Sequence, residues 1–211
     1  MSIVLGIDTS QNVSVGLAVA GKIAANETIM NTRAHVEELT PLTQRVLAQA
    51  GVEFGDLDSI VVGVGPGPFT GLRVGVASAT VLAEILRIPV KGVCSLDVLA
   101  RQIDNSGAYS VVSDARRKEL YWGTYNAGKW VSGPFVSAPD MLPALPVFGT
   151  AVDLYEMPGQ VLGKAEGVDA GLMALLADEL PEAGLEPLYL RRPDAEVSTK
   201  HKSALVTRRR R

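Results

Sequence analysis

The feature that most limits how this chain can fold is a pattern that occurs twice. Ile3 to Ile7 reads as a buried strand ending at Asp8. Val13 to Val19 alternates as a second strand, and Gly21-Lys22 turns the chain into a third, Ile23 to Ile29. Tyr109 to Asp114, Leu120 to Tyr125 and Ala127-Gly128-Lys129 repeat that order, with the two aspartates 106 residues apart and the two Gly-Lys turns 107 apart. Strand, aspartate, turn, strand and turn recurring in one order predict two related lobes, each opening on a hairpin.

Between the copies, Val36, Leu39, Thr43, Val46, Leu47 and Ala50 recur at helical spacing, with Gly51 as the stop and Pro41 expected to end or kink the early turns. A strand over Ser59 to Val64, a helix over Thr70 to Leu86 and a short strand over Val90 to Val93 follow. A helix from about Leu96 to Ile103, with Ser95 as its N-cap, completes βββαβαβα, a mixed sheet with helices on its faces. The second copy is looser: prolines at 134, 139, 143, 146, 158, 181 and 187 break it into short pieces and leave Ala170 to Leu180 as its convincing helix. The predicted organisation is an N-terminal lobe over residues 1–105, a smaller, degenerate lobe over 106–190 and a tail over 191–211.

Composition narrows the chemistry. With 47% hydrophobic and 20% charged residues, a chain of 211 residues buries a core without staples. Cys94 is the single cysteine, which excludes an internal disulfide, and two distant histidines, His35 and His201, cannot assemble a Cys/His zinc cluster. A reducing cytoplasm is the expected compartment. Asp8 interrupts the N-terminal apolar run, so no secretory signal is expected. Arg73, Glu84 and Arg87 interrupt the most apolar helix, so no membrane span is expected. The charge is uneven, since residues 1–190 hold 12 Lys+Arg against 21 Asp+Glu and residues 191–211 hold 8 against 2. That basic tail, with Ser and Thr and little apolar periodicity, reads as disordered, either solubilising or phosphate-binding.

The run Ile60 to Val76 carries the strongest local signal, a β-branched strand feeding Gly65-Pro66-Gly67-Pro68 and then a helix that Thr70 is placed to cap. It ends in no Gly-Lys-Ser/Thr, and position 70 is not the glycine that a dinucleotide loop requires, so it reads as a rigid packing turn ahead of a phosphate cradle. The helix behind it is apolar on more faces than one sheet covers. Gly75, Ala79 and Ala83, four residues apart, permit close approach of another helix, either within the chain or from a partner.

Asp8 and Asp114 at strand ends are candidates for a magnesium-bound phosphate, with capped strand ends as the plain alternative. Two lobes of this kind resemble the two-lobed actin-like ATPase (ASKHA, RNase H-like) α/β fold. A narrower resemblance runs along the chain: Ile7-Asp8-Thr9-Ser10; His35 with Leu39 and Pro41; Gly65 to Gly75; Val93-Cys94-Ser95-Leu96; Asp114-Ala115-Arg116 with Glu119, Tyr121 and Trp122; and Pro187 to Arg191. On these marks the chain is similar to the bacterial TsaB (YeaZ) family, with proline at 68 where many members have serine.

The resemblance implies a non-catalytic subunit of the threonylcarbamoyltransferase complex, binding and activating the sibling TsaD, with TsaE, to modify adenosine 37 of tRNAs that read ANN codons. The sibling's metal motif, H-x-x-x-H, falls where this chain has Ser95 to Leu99, so neither ligand position offers an imidazole. No cofactor is expected on the chain alone. ATP or ADP is expected at most at a site shared with a partner, through Asp8, Thr9, Ser10 and Asp114, because Thr9 and Ala115 follow the aspartates where actin-like loops have glycine. The family implies a TsaD heterodimer, or a homodimer when alone, through the two helices that carry His35, Leu39, Thr43, Val46, Leu72, Gly75, Val76, Ala79 and Ala83. tRNA is reached indirectly or through the basic tail. Peptidase chemistry, which older family labels imply, lacks a nucleophile–histidine pair. The alternative is an independent actin-like ATPase or small-molecule kinase using Asp8 and Asp114.

Overall fold

A computed structural model describes residues 2–30 and 35–191; the basic tail beyond Arg191, with His201, lies outside the described residues. Among the described residues, ten strands form two five-stranded sheets. The first holds β1 (Ile3–Asp8), β2 (Val13–Val19), β3 (Lys22–Ile29), β4 (Ser59–Gly63) and β5 (Val90–Val93), in the order β3-β2-β1-β4-β5. The second holds β6 (Ala108–Asp114), β7 (Leu120–Asn126), β8 (Lys129–Ser137), β9 (Val147–Gly149) and β10 (Val161–Lys164), in the order β10-β9-β6-β7-β8. Read from the hairpin edge, the two orders are the same. In both, an antiparallel meander continues into parallel strands beside its first member.

The repeat extends to the turns. Ala20 and Gly21 sit at φ 51° and 75°, and Ala127 and Gly128 at 48° and 72°, so each meander turns on two left-handed residues, as tight hairpins require. The turn is therefore Ala-Gly, one residue before the Gly-Lys expected from the sequence. Asp8 faces Ser14 and Asp114 faces Leu120 at the opposite ends of these pairs.

Helices α1 (His35–Ala50) and α2 (Phe69–Leu86) cover one face of the first sheet, burying Leu39, Leu42, Val46, Val76, Ala79 and Ala83 against Leu5, Ile7, Val15, Ile60 and Val62. α3 (Ser95–Ala100) and α4 (Ala170–Leu175) fill the space on the other side, where Val61, Leu96, Leu99, Val111, Tyr125, Phe148 and Met173 share a core with both sheets. The end of the described chain returns to the first sheet: Ala183 N–H donates to Gly92 O at 2.8 Å and Leu188 N–H to Val64 O at 2.8 Å.

Several local expectations are corrected. α1 runs through Pro41, because an apolar face packed on a sheet outweighs one missing hydrogen bond. α2 begins at Phe69 with Pro68 in the cap position, whose fixed φ of −62° and extended ψ of 136° launch the first turn; Thr70 lies inside the helix and caps nothing. Cys94, not Ser95, precedes α3, which stops at Ala100 rather than Ile103. α4 ends at Leu175, short of Leu180. α2 is also the helix among the described residues that is long and apolar enough to cross a membrane, with a mean hydropathy of 1.4, and six of its residues, Gly71 and Leu72 among them, are buried in the lobe.

Candidate functional site

The first hairpin ends in a closed knot. Asp8 is 1% exposed. Its Oδ1 accepts from Ser10 N–H at 2.9 Å and Ser10 Oγ–H at 2.6 Å, and its Oδ2 accepts from Ser95 Oγ–H at 2.6 Å. Ser95 Oγ in turn accepts Gly65 N–H at 3.2 Å, and Ser95 N–H donates to Gly65 O at 2.8 Å, so the start of α3 clamps the glycine-proline turn onto the aspartate. Burial holds the Asp8 carboxyl above the usual carboxylate range, against the pull of its hydrogen bonds from Ser10 and Ser95.

The turn seals what remains. Glycine is required at 67 because a Cβ there would collide with the Ser10 backbone, and at 75 because a Cβ would strike Thr9 Oγ1. Thr9 spends its hydroxyl on Gly71 O at 2.8 Å. Thr9 and Ser10 are both fully buried. Of the four residues expected to approach nucleotide, three are thus consumed in packing α2 and its turn onto the end of β1.

The fourth is open. Asp114 ends β6 beside the space between the lobes, accepting from Arg116 N–H at 2.8 Å and Tyr155 O–H at 3.2 Å, with Arg116 Nε at 3.6 Å. It lines a cleft of about 410 Å³ together with Gly67, Pro68, Phe69, Arg116, Tyr121, Tyr189 and Arg191. A second, shallower space of about 290 Å³ runs from Ser10 and Asn12 past Asp114 to Asp153, Lys164 and Glu166. The structure thus brings Asp114 and the end of the first hairpin to one cleft without turning Asp8 into it. Among the described residues, no group of three or more His, Cys, Asp or Glu is placed to hold a metal ion.

The residues nominated for a partner interface need correction as well. Leu39, Thr43, Val46, Leu72, Gly75, Val76, Ala79 and Ala83 are all buried inside the first lobe, Ala79 completely, because the small-residue row of α2 lies on its own sheet and on Thr9. Thr43 Oγ–H is used within α1, donating to Leu39 O at 2.8 Å. His35 opens α1, and its side chain lies outside what the structure describes. Beyond Phe69 at the start of α2, the large apolar residues these helices leave exposed are Val36 at 65%, Val81 at 53% and Ile85 at 72%. They occupy the outward face, which helical periodicity alone separates poorly from the inward one when both are apolar.

Sequence reasoning also missed the aromatic-cation wall of the cleft. Phe69 and Tyr189 rings stack with centroids 4.7 Å apart, the Arg73 guanidinium lies 3.9 Å over the Phe69 ring, and Arg73 Nε–H donates to Tyr189 Oη at 3.0 Å. Arg191 pairs with Glu119 and donates to Arg116 O. Phe69 and Arg73 stand four apart, a helical pairing visible in the sequence, but their meeting with Tyr189 is a long-range contact that no spacing announces.

Comparison with known proteins converges on one group. The family model for "TsaD: tRNA N6-adenosine threonylcarbamoyltransferase" matches residues 22–140. An uncharacterized protein of Mycobacterium tuberculosis is 43% identical over 93% of this chain and 95% of its own. Another from Mycobacterium leprae is 41% identical over 98% of this chain and 59% of its own. The tRNA threonylcarbamoyladenosine biosynthesis protein TsaB of Escherichia coli is 34% identical over 58% of this chain, and the match spans 54% of that relative's length. The solved structure of YeaZ from Pseudomonas aeruginosa superposes with a TM-score of 0.72 at 28% identity, covering 90% of this chain and 100% of that one. The fold, two mixed five-stranded sheets with helices packed on them, is the two-lobed α/β arrangement expected from the repeat, and it is shared with that YeaZ structure.

Proposed function

The chain belongs to the TsaB (YeaZ) family, and from that premise we propose that it works in tRNA threonylcarbamoyladenosine biosynthesis as the non-catalytic partner of a TsaD homologue. The observation that carries this reading is the sealed first hairpin. An actin-like ATPase or kinase needs the first aspartate and the backbone after it turned toward phosphate. Here Asp8 accepts three hydrogen bonds inside the protein, and Thr9 and Ser10 are buried under the turn at Gly67. A protein that has given up that chemistry acts through its surface.

The surface on offer is the outer side of α1 and α2, with Val36, Val81 and Ile85 exposed on helices otherwise packed into the lobe. We assign the TsaD contact, and self-association when the chain is alone, to this face. In this reading TsaE joins as a third component, nucleotide is held at most where Asp114 meets a partner, and the protein works in the cytoplasm. Apolar side chains of this size release about 25 cal/mol per Å² when a partner covers them.

The test uses the purified chain and a TsaD homologue from the same cell. Sedimentation velocity should show a stoichiometric complex with wild type, and Ile85→Glu should weaken it by about tenfold or more while melting at the wild-type temperature. The isolated chain should release no phosphate from ATP. A chain that fails to bind the homologue, or that turns over ATP by itself, overturns the proposal.

A further inference from the structure

Up to Leu190 the protein is acidic, yet the cleft between the lobes is rimmed with cations. Arg116, Arg117 and Arg191 line it, and Arg73 stands behind its aromatic wall. Arg116, Arg117 and Lys118 occupy three consecutive left-handed positions at φ 64°, 54° and 62°. Such conformations are costly for residues with side chains and persist where the surroundings impose them. Here Ala115 N–H donates to Glu119 O and Glu119 N–H to Arg116 O, both at 3.0 Å, which closes the loop and sends the side chains outward. The Arg116 side chain is 80% exposed, and Asp114 neutralises it loosely at 3.6 Å.

Facing these cations are two exposed rings, Phe69 at 38% and Tyr189 at 37%, already stacked on one another with Arg73 against Phe69. Arginines alternating with accessible aromatic faces are the chemistry that holds unpaired nucleotides, phosphates on the guanidiniums and bases on the rings. An acidic protein segment would use the arginines and leave the rings idle. The cleft volume of about 410 Å³ lies within the range of small-ligand sites.

We propose that this cleft is a binding site for unpaired nucleotides of an RNA, with phosphates at Arg116 and Arg117 and a base on the Phe69–Tyr189 pair. Its link to tRNA rests on the proposed function; the site itself does not.

The experiment is fluorescence anisotropy of the full chain with a short, unstructured, labelled RNA oligonucleotide over a range of salt. Arg116→Gln combined with Arg117→Gln should weaken binding about tenfold or more and reduce the salt slope by about 0.7 for each phosphate left without its guanidinium. Phe69→Leu should weaken binding about tenfold with the slope unchanged, and Phe69→Tyr should restore it. Thermal melts matching wild type establish that each variant is folded. RNA binding that these variants leave untouched places it in the tail alone and overturns the proposal, as does a polyglutamate peptide that competes as well as the RNA. A wild-type chain that forms the TsaD complex but binds no RNA sinks this inference alone, whereas one that binds RNA but forms no complex sinks the proposed function alone.

Discussion

The two lobes share a strand order and a hairpin geometry, and they differ in what joins the later strands. In the first, α1 and α2 make the crossovers from β3 to β4 and from β4 to β5. In the second, the equivalent connections are a short 3-10 turn at Pro139–Met141 and an irregular stretch between β9 and β10. Prolines at 139, 143, 146 and 158 disfavour helices in these connections, since each removes a donor a helix would need. A small cluster, Val112, Leu120, Leu142, Val147, Ala151 and Val152, then backs that side of the second sheet. The hairpin ends diverge accordingly: a long helix and its glycine turn lie over Asp8, whereas no helix of that kind covers Asp114 among the described residues. The same acid ends the first strand of each sheet, and the presence of covering helices in one lobe and their absence in the other leave Asp8 sealed and Asp114 open.

The largest test of this contrast is Ala79→Glu. With Ala79 at 0% exposure between α2 and its sheet, an added carboxylate has neither space nor partner. It should cost about 3–5 kcal/mol and unfold or nearly unfold the first lobe in a thermal melt. A variant that melts normally would return this row to a partner interface.

Next come the two aspartates themselves. Asp8→Ala orphans the donors of Ser10 and Ser95 in a buried site and should lower stability by about 2–3 kcal/mol in denaturant titration. Asp114→Ala, at a half-open strand end, should cost under about 1 kcal/mol. Equal losses would erase the distinction between a sealed and an open hairpin.

A smaller effect lies in pH dependence. Burial sets Asp8 and Asp97 above the ordinary carboxylate value of 3.8, Asp97 against the pull of the Tyr125 hydroxyl at 2.7 Å. Each binds its proton earlier in the folded state than in the unfolded one. Stability from these groups should therefore grow as pH falls through the folded pKa toward 3.8, and decline as pH rises back through it. Asp8→Asn should flatten its share of that slope; an unchanged slope would show that Asp8 does not titrate this way. The smallest effect belongs to the exposed side of the second sheet, where Trp130→Ser, at a position 54% exposed on β8, should shift stability by no more than about 0.5 kcal/mol.

Much of this molecule was legible in the sequence because its signals are local. Alternating strands and the glycine of each turn lie within a few residues of one another, and they predicted the first meander and the hairpin that opens the second sheet, with each turn placed one residue late. What the sequence concealed depends on distance. Ser95 looked like a helix cap, and its hydroxyl instead crosses 87 residues to Asp8. The Gly75-Ala79-Ala83 row carries the same pattern whether it meets its own sheet or a foreign helix, and only the packed lobe distinguishes them. The cleft needed Tyr189 and Arg191 brought back across the first sheet, an arrangement fixed by the bond from Leu188 to Val64 and by no motif.

The central claim, that the first hairpin is a structural clamp while the protein serves tRNA modification through its surface, is tested most directly by nucleoside mass spectrometry. Threonylcarbamoyladenosine would be measured in tRNA from cells depleted of this protein and supplied with wild type, Asp8→Asn or Ile85→Glu, at matched levels of folded protein. The account predicts wild-type modification with Asp8→Asn and its loss with Ile85→Glu. Loss with Asp8→Asn and full modification with Ile85→Glu would contradict it.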